Sequence, residues 1–319
     1  MAIRLSDIAQ ACKVDISTVS RALHNDPRVR ENTRELIRRT AKKMRYAPNL
    51  AARNLAAGTT KTLWLLVPDL KNPIQQEPAQ FLSERLSREG YDLMIVLYHD
   101  EPDAFRRLLM RLTQNVADGA FIIPSGIAYD DPEYTSLKKN QYPLVFLDRR
   151  AELKSCATVT TDNAAAAAEL VARCIQDGAN RFVIMFEKSN SAGHERLQGA
   201  EKALSRQKIP YLIFDKPEIA NASFMKNGRT AILASSSFSV YAFYEHNKQH
   251  FPVTPPIAGV FDQWNDRTEN FAGIYICRQD FHGIAEKAAD IMLEKLKGKK
   301  TESGLHHIPA LDFISLKKP

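Results

Sequence analysis

Cysteine is scarce in this chain of 319 residues. The four present (Cys12, Cys156, Cys174, Cys277) are widely scattered, with no CxxC pair and no histidine cluster beside them. A disulfide framework and a metal site are therefore not expected, and the four read as reduced core thiols. The eight histidines stand apart except for His306–His307, which reads as a surface pair. No apolar run approaches the ~18 residues that a membrane-spanning helix needs. The opening MAIRLSDIAQ has no apolar stretch after its charge, so no secretory signal is expected and the reading is cytoplasmic. There is no GxGxxG after the first strand-like run, no GxxxxGK[ST], no GxSxG elbow and no histidine-paired nucleophile. These absences remove support for nucleotide-dependent chemistry, for a bound cofactor and for an enzyme.

What is present is unevenly placed. Residues 1–60 hold 12 Lys+Arg against 5 Asp+Glu, a surplus of +7, and the whole chain also carries +7. The other 259 residues balance at 32 and 32. A solvated basic face is one reading. Concentrating the full net charge in a fifth of the chain is also the footprint of a polyanion binder.

Three short helical patterns open the chain. LSDIAQAC sets Leu5, Ile8, Ala9 and Cys12 on one face. Asp15 is placed to cap a helix through ISTVSRALH, its carboxylate accepting from first-turn amides, with Val19, Ala22 and Leu23 inward. Asn25, Asp26 and Pro27 end that helix, and ENTRELIRRTAKKM forms a third with Leu36, Ile37, Ala41 and Met44 as its apolar set. Two helices joined by a short turn and backed by a third form a helix-turn-helix unit. In such a unit the second helix enters the DNA major groove. Small hydroxyls and one long cation on its outer face then have a use. Ile16 can touch a thymine methyl, Ser17 and Ser20 can donate or accept, and Arg21 can fork onto guanine. The alternative is a solvent-facing helix with an idle arginine.

YAPNLAARNLAAGTTK follows, about two turns of helix opened by Pro48 and Asn49 and ended by Gly58, and too short to persist alone. From Lys61 the pattern changes. TLWLLVP, YDLMIVL, GAFIIP, PLVFLD, RFVIMF, YLIFD, TAILAS and IAGVF are each strand-length, most of them separated by amphipathic helix-length segments. That alternation predicts parallel sheets with helices on both faces. About 250 residues suit two such sheets with a cleft between them.

The stretches LSDIAQACKVDISTVSRAL, TRELIRRTAKKMRYAPNLAARNLA, VPDLKNP, GYDLMIV, DGAFIIPS, FLDRR and TDNAAAAAELV together resemble the LacI (lactose repressor) family of bacterial transcription regulators, over essentially the whole chain. The resemblance implies an all-α helix-turn-helix headpiece (1–46), a hinge helix and linker (47–60), and an α/β two-subdomain core of periplasmic-binding-protein type (61–319). The N-subdomain would take about 61–160 and 281–309, the C-subdomain about 161–280 and 310–319. It implies a repressor, working as a homodimer on a pseudo-palindromic double-stranded operator and controlled by a small molecule in the core cleft, by default a sugar or derivative.

Carried over residue by residue, the resemblance assigns base reading to Ile16, Ser17 and Arg21. It assigns backbone contacts to Thr18 and Ser20, and a phosphate contact to Thr33. Tyr46 would pack the headpiece, Asn49 would start the hinge helix and with Ala52 would contact the DNA, and Leu55 would wedge into the minor groove at the operator centre. Unstacking a base step costs a few kcal/mol, offset by wider contacts on the bent duplex. Effector contacts fall on Asn72, Ile74, Asp148, Arg196, Ser236, Asp262 and Gln279. Departures are visible too. His24 stands for an asparagine, Arg30 and Arg4 for capping residues, and Ser6 for a tyrosine. Ser236–Ser237, within SSSFS, replaces the Asn-Asp pair of sugar-binding members. A buried arginine–carboxylate set needs a ligand or mutual pairing, so a regulator without a ligand response stays open. The third reading is a cytoplasmic solute-binding or sugar-metabolising protein with a basic N-terminal decoration.

Overall fold

The computed structural model describes residues 3–47, 54, 58–70, 73–99, 101–124, 132–150, 156–188, 190–215, 222–251, 254–261, 263–264, 268–301 and 303–317. The chain forms two compact units, 1–60 and 61–319.

The described residues of the first unit include the helices α1 (Leu5–Cys12), α2 (Ile16–Leu23) and α3 (Glu31–Lys43). Their core is Ile8, Ala9, Val19, Ala22, Val29, Ile37 and Ala41, with Leu5, Cys12, Leu23, Met44 and Tyr46 packed against it, half-buried. Two expectations are corrected. Leu36 is 51% exposed; at 100° per residue it sits roughly a quarter-turn from the stripe of Ile37, Ala41 and Met44. Asp15 occupies the N-cap of α2, but its carboxylate makes no cap bond. The turn closes through its carbonyl oxygen, which accepts from Thr18 N at 2.9 Å and Val19 N at 3.1 Å. Asp15 is itself exposed, so water serves its side chain as well as the helix amides would. At α1, where Arg4 holds the cap position, Asp7 supplies the acceptor instead and takes the Arg4 N–H at 2.8 Å.

The second unit holds two six-stranded sheets. The first is ordered β11-β5-β4-β3-β1-β2, with β1 (Thr62–Val67), β2 (Asp92–Leu97), β3 (Gly119–Ile122), β4 (Leu144–Leu147), β5 (Ala157–Thr161) and β11 (Gly304–Ile308). The second is ordered β12-β10-β9-β8-β6-β7, with β6 (Arg181–Met185), β7 (Tyr211–Ile213), β8 (Thr230–Ala234), β9 (Ile257–Phe261), β10 (Gly273–Arg278) and β12 (Asp312–Lys317). Among the described residues all pairings are parallel except β10 with β12. The two-residue period of each strand assigns its side chains to two cores. In β1, Leu63, Leu65 and Val67 pack under α4 (Pro73–Ser87) and α11 (Phe281–Leu296). Trp64 and Leu66 pack under α5 (Pro102–Thr113) and α6 (Pro132–Lys139). In β8, Ala231 and Leu233 face α7 (Asn163–Gln176) and α8 (Ser191–Arg206). Ile232 and Ala234 face the side of α9 (Ala222–Lys226) and α10 (Ser237–Asn247).

Four strands lie outside the eight apolar runs: β5, β10, β11 and β12. β5 is ATVTT, whose threonines are buried by the fold, with the hydroxyls of Thr160 and Thr161 hydrogen-bonded there; only Ala157 and Val159 are apolar. β11 and β12 are edge strands with exposed positions. His306 and His307 are strand residues, not a surface pair. His306 is half-buried with no partner at Nε2, and only His307 is exposed. Cys156, Cys174 and Cys277 are buried, whereas Cys12 is only half-buried, and none of the four is in a disulfide among the described residues. The chain passes between the sheets at 161–163, 278–281 and 308–312. The three passages are tied by Thr161 Oγ1 to Gln279 Oε1 (2.7 Å), Asp162 N to Ile308 O (2.9 Å) and Leu311 N to Arg278 O (2.8 Å).

Candidate functional site

The first face is on α2. Its inner residues Val19 and Ala22 are buried, so the opposite side faces solvent. Ile16 (52% exposed), Ser17 and Arg21 lie on it, with Thr18 and Ser20 half-buried at its margins. Thr33 is half-buried near the start of α3. Asn49, Ala52 and Leu55 lie outside the described residues.

Not every headpiece cation is free for a polyanion. Arg28 is paired with Asp26 at 2.6 Å, holding that carboxyl well below the usual range through its hydrogen bonds. Arg34 donates from Nη2 to the carbonyls of Asp26 (3.1 Å) and Val29 (2.9 Å) and from Nη1 to Glu31 (2.6 Å). Arg38 donates to the Asn25 side chain, and Asn25 sits at φ +60°. Two arginines of α3 thus hold the α2–α3 loop. The exposed Lys13, Arg21, Arg30, Lys42, Lys43 and Arg45 have no ion pair among the described residues. Sequence patterning could not separate these two groups, because a cation at i+3 or i+4 looks the same whether it faces a loop or water.

The second site lies between the sheets, beyond the C-terminal ends of parallel strands, where α/β folds place ligands. Asp148 follows β4 and is 3% exposed, at φ +62°. Its backbone is held there by Asp148 N to Val159 O (3.0 Å) and Thr160 Oγ1 to Asp148 O (2.5 Å). Burial pushes the carboxyl above the ordinary carboxylate range, against the pull of the Arg149 and Arg196 guanidinium groups. Arg149 Nε lies 3.5 Å from Asp148 Oδ2, while Oδ1 is buried without a partner. Arg196, on α8, is 5% exposed; its Nε donates to Asn163 Oδ1 at 2.8 Å and its guanidinium lies 3.7 Å from the Phe261 ring centroid. Arg150 N donates to Ser191 Oγ at 2.6 Å, joining the segment after β4 to the first turn of α8.

Gln279 is buried and accepts from Thr161, so it serves the passage between sheets. Ser236 caps α10, its Oγ accepting from Ser239 N at 3.3 Å. The structure therefore links Asp148 and Arg196 through Thr160 and Asn163, and sets Gln279 beside Thr161 in the same strand end. Asn72, Asp262 and the side chain of Ile74 lie outside the described residues. Asn163, 0% exposed, is the residue that pattern reading missed. It stands inside TDNAAAAAELV at the head of an alanine-rich helix, but its burial depends on α8 crossing above it. Among the described residues no helix is long and apolar enough to cross a membrane, and no group of His, Cys, Asp and Glu is placed to hold a metal.

Comparison with known proteins decides the family. The model for bacterial regulatory proteins of the lacI family matches residues 4–49. The model for periplasmic binding proteins and the sugar-binding domain of the LacI family matches residues 60–231. The chain belongs to the LacI family. The ribose operon repressor of Halalkalibacterium halodurans is 26% identical over 210 residues, 66% of this chain and 62% of that protein. Catabolite control protein A of Staphylococcus aureus is 25% identical over 207 residues, 65% of this chain and 62% of that protein. Each match thus spans under two thirds of the relative's own length. The lac repressor dimer bound to operator and the anti-inducer ONPF has a TM-score of 0.78 at 17% identity, covering 97% of both chains. The CelR–cellobiose complex has a TM-score of 0.65 at 20% identity, covering 98% of both chains. These structures share the LacI-family fold: a helical headpiece and two α/β subdomains.

Proposed function

We propose that this LacI-family chain is a sequence-specific DNA-binding transcription regulator, a repressor that reads a pseudo-palindromic operator as a homodimer and is controlled by a small molecule between its two sheets. It binds; it does not catalyse. The observation that carries this is the exposed face of α2, with Ile16, Ser17 and Arg21 outward on a unit holding the chain's whole surplus of positive charge. The homodimer reading draws support from the edge strand β2, which leaves Met94 (49%), Ile95 (42%) and Leu97 (37%) exposed. An exposed apolar edge strand is a liability that a second copy would cover. The effector reading draws support from buried Arg196 and Asp148, linked through Asn163 and Thr160, a donor and an acceptor of the kind that fix a polyhydroxylated ligand. The alternative without a ligand response is favoured by one observation, that Ser236 is already engaged as a helix cap.

The test is duplex selection from a random pool, followed by titration at rising salt. Arg21→Ala should cost ~1–3 kcal/mol on the selected duplex and little on random DNA, as loss of a bidentate guanine contact would. Equal loss on both duplexes assigns Arg21 to phosphate, and no selected duplex overturns the reading. The effector is sought by thermal shift with D-ribose, cellobiose and fructose 1-phosphate, since a bound ligand stabilises by RT ln(1 + [L]/Kd).

A further inference from the structure

The buried side chain of Asn163 is the point where the arginine of the cleft meets the strand end that carries the chain between sheets. Its carboxamide is used on both sides. A guanidinium Nε–H can only donate, so the atom 2.8 Å from Arg196 Nε is the amide oxygen. The amide nitrogen then faces three acceptors: Thr160 Oγ1 at 3.3 Å, Thr161 O at 3.2 Å and Glu195 Oε2 at 3.4 Å. Thr160 in turn holds the Asp148 carbonyl, and Thr161 holds Gln279. One side chain thus connects Arg196, Asp148 and Gln279. The ring of Phe261 also contacts the guanidinium, 3.7 Å from Arg196 Cζ to the ring centroid. With Nε taken by Asn163 and the plane set against Phe261, the orientation of the Nη edge is defined before any ligand arrives.

We propose that Asn163 is the positioning residue for Arg196: its amide oxygen fixes the guanidinium for an effector, and its amide nitrogen ties that geometry to the end of β5. This rests on the effector reading above. A freely rotating guanidinium would have to be ordered at the moment of binding, at an entropic cost, whereas a held one has been ordered by folding.

The test uses the full-length chain with 15N-labelled arginine. In the wild type a slowly exchanging Nε–H signal is expected, assigned to Arg196 by its absence in Arg196→Lys. Asn163→Asp keeps an acceptor for Nε and should retain the signal, while Asn163→Ala and Asn163→Leu should lose its protection. D-ribose, cellobiose and fructose 1-phosphate are then titrated singly. Whichever of them stabilises the wild type should bind Asn163→Ala about tenfold more weakly, the size expected when an oriented charged hydrogen bond is lost. An unchanged Nε–H signal in both Asn163→Ala and Asn163→Leu overturns the proposal, even if their melting temperatures fall, because Asn163 would then be structural only. If none of the three sugars shifts the wild type, the effector reading has lost its support while the guanidinium signal still decides the positioning claim.

Discussion

Gly199 and Ala164 set how closely α7 and α8 approach: a Cβ at position 199 would lie 2.2 Å from the Ala164 carbonyl oxygen. Arg196 sits one helical turn before Gly199 and Asn163 one residue before Ala164. The close crossing is therefore what lets the arginine reach the asparagine.

Gly199→Ala gains about 1 kcal/mol in helix propensity. It must also push backbone apart, an overpacking cost of ~1–3 kcal/mol. The net expectation is a destabilised core, seen as a lower denaturation midpoint, together with lost protection of the Arg196 Nε–H. A variant more stable than wild type would show that the two helices separate freely.

In the headpiece, Arg34→Ala removes donors to two loop carbonyls and to Glu31 from a side chain only 16% exposed. Leaving those groups unpartnered should cost ~1–3 kcal/mol. Arg39→Ala is the control: its pair with Glu35 spans 3.6 Å and the arginine is 83% exposed, so the effect should be close to zero. Thermal melts followed by helix circular dichroism on both variants check this, and equal melting points would mean the loop holds itself.

Asp148 gives a pH dependence of definite sign. Its carboxyl is raised above the unfolded value, chiefly by burial. The folded state therefore favours the protonated form, and stability falls as pH rises from the unfolded pKa near ~3.9 towards the folded one. Asp148→Asn removes this loss. The variant should melt above the wild type at neutral pH, with the gap shrinking as pH falls to 4. A gap independent of pH would assign the effect to packing.

The exposed edge β2 gives a test of assembly. Met94→Asp and Ile95→Lys place charge on a strand whose outer residues are already half exposed, so the monomer fold should persist. Sedimentation should then report a monomer where the wild type reports a dimer. An unchanged mass would move the interface elsewhere.

The helix-turn-helix and the α/β alternation were legible in the chain because both rest on local period. Val19 and Ala22 lie three apart on α2 and emerge buried, and Leu63, Leu65 and Val67 alternate into one core of the first sheet. The uneven charge could be counted from composition. Strands β5 and β11 were not legible: ATVTT offers only Ala157 and Val159 as an apolar face among three threonines, and GLHHI has no apolar run. Thr158, Thr160 and Thr161 are buried by the tertiary structure and not by their own polarity, in a strand held between β4 and β11.

What the sequence determined by itself is therefore the three headpiece helices, the strand–helix alternation after them, the solvent-facing surface of α2 and the concentration of charge in the first 60 residues. These follow from the helical and strand periods and from counting. Tertiary structure alone decided which cations are engaged within the headpiece, where Arg34 and Arg38 turn to the α2–α3 loop. It alone decided that Asn163, 33 residues from Arg196 in the chain, holds the guanidinium. Hydrogen bonds between distant residues depend on how closely two helices cross, and that is set at Gly199 by the absence of a side chain.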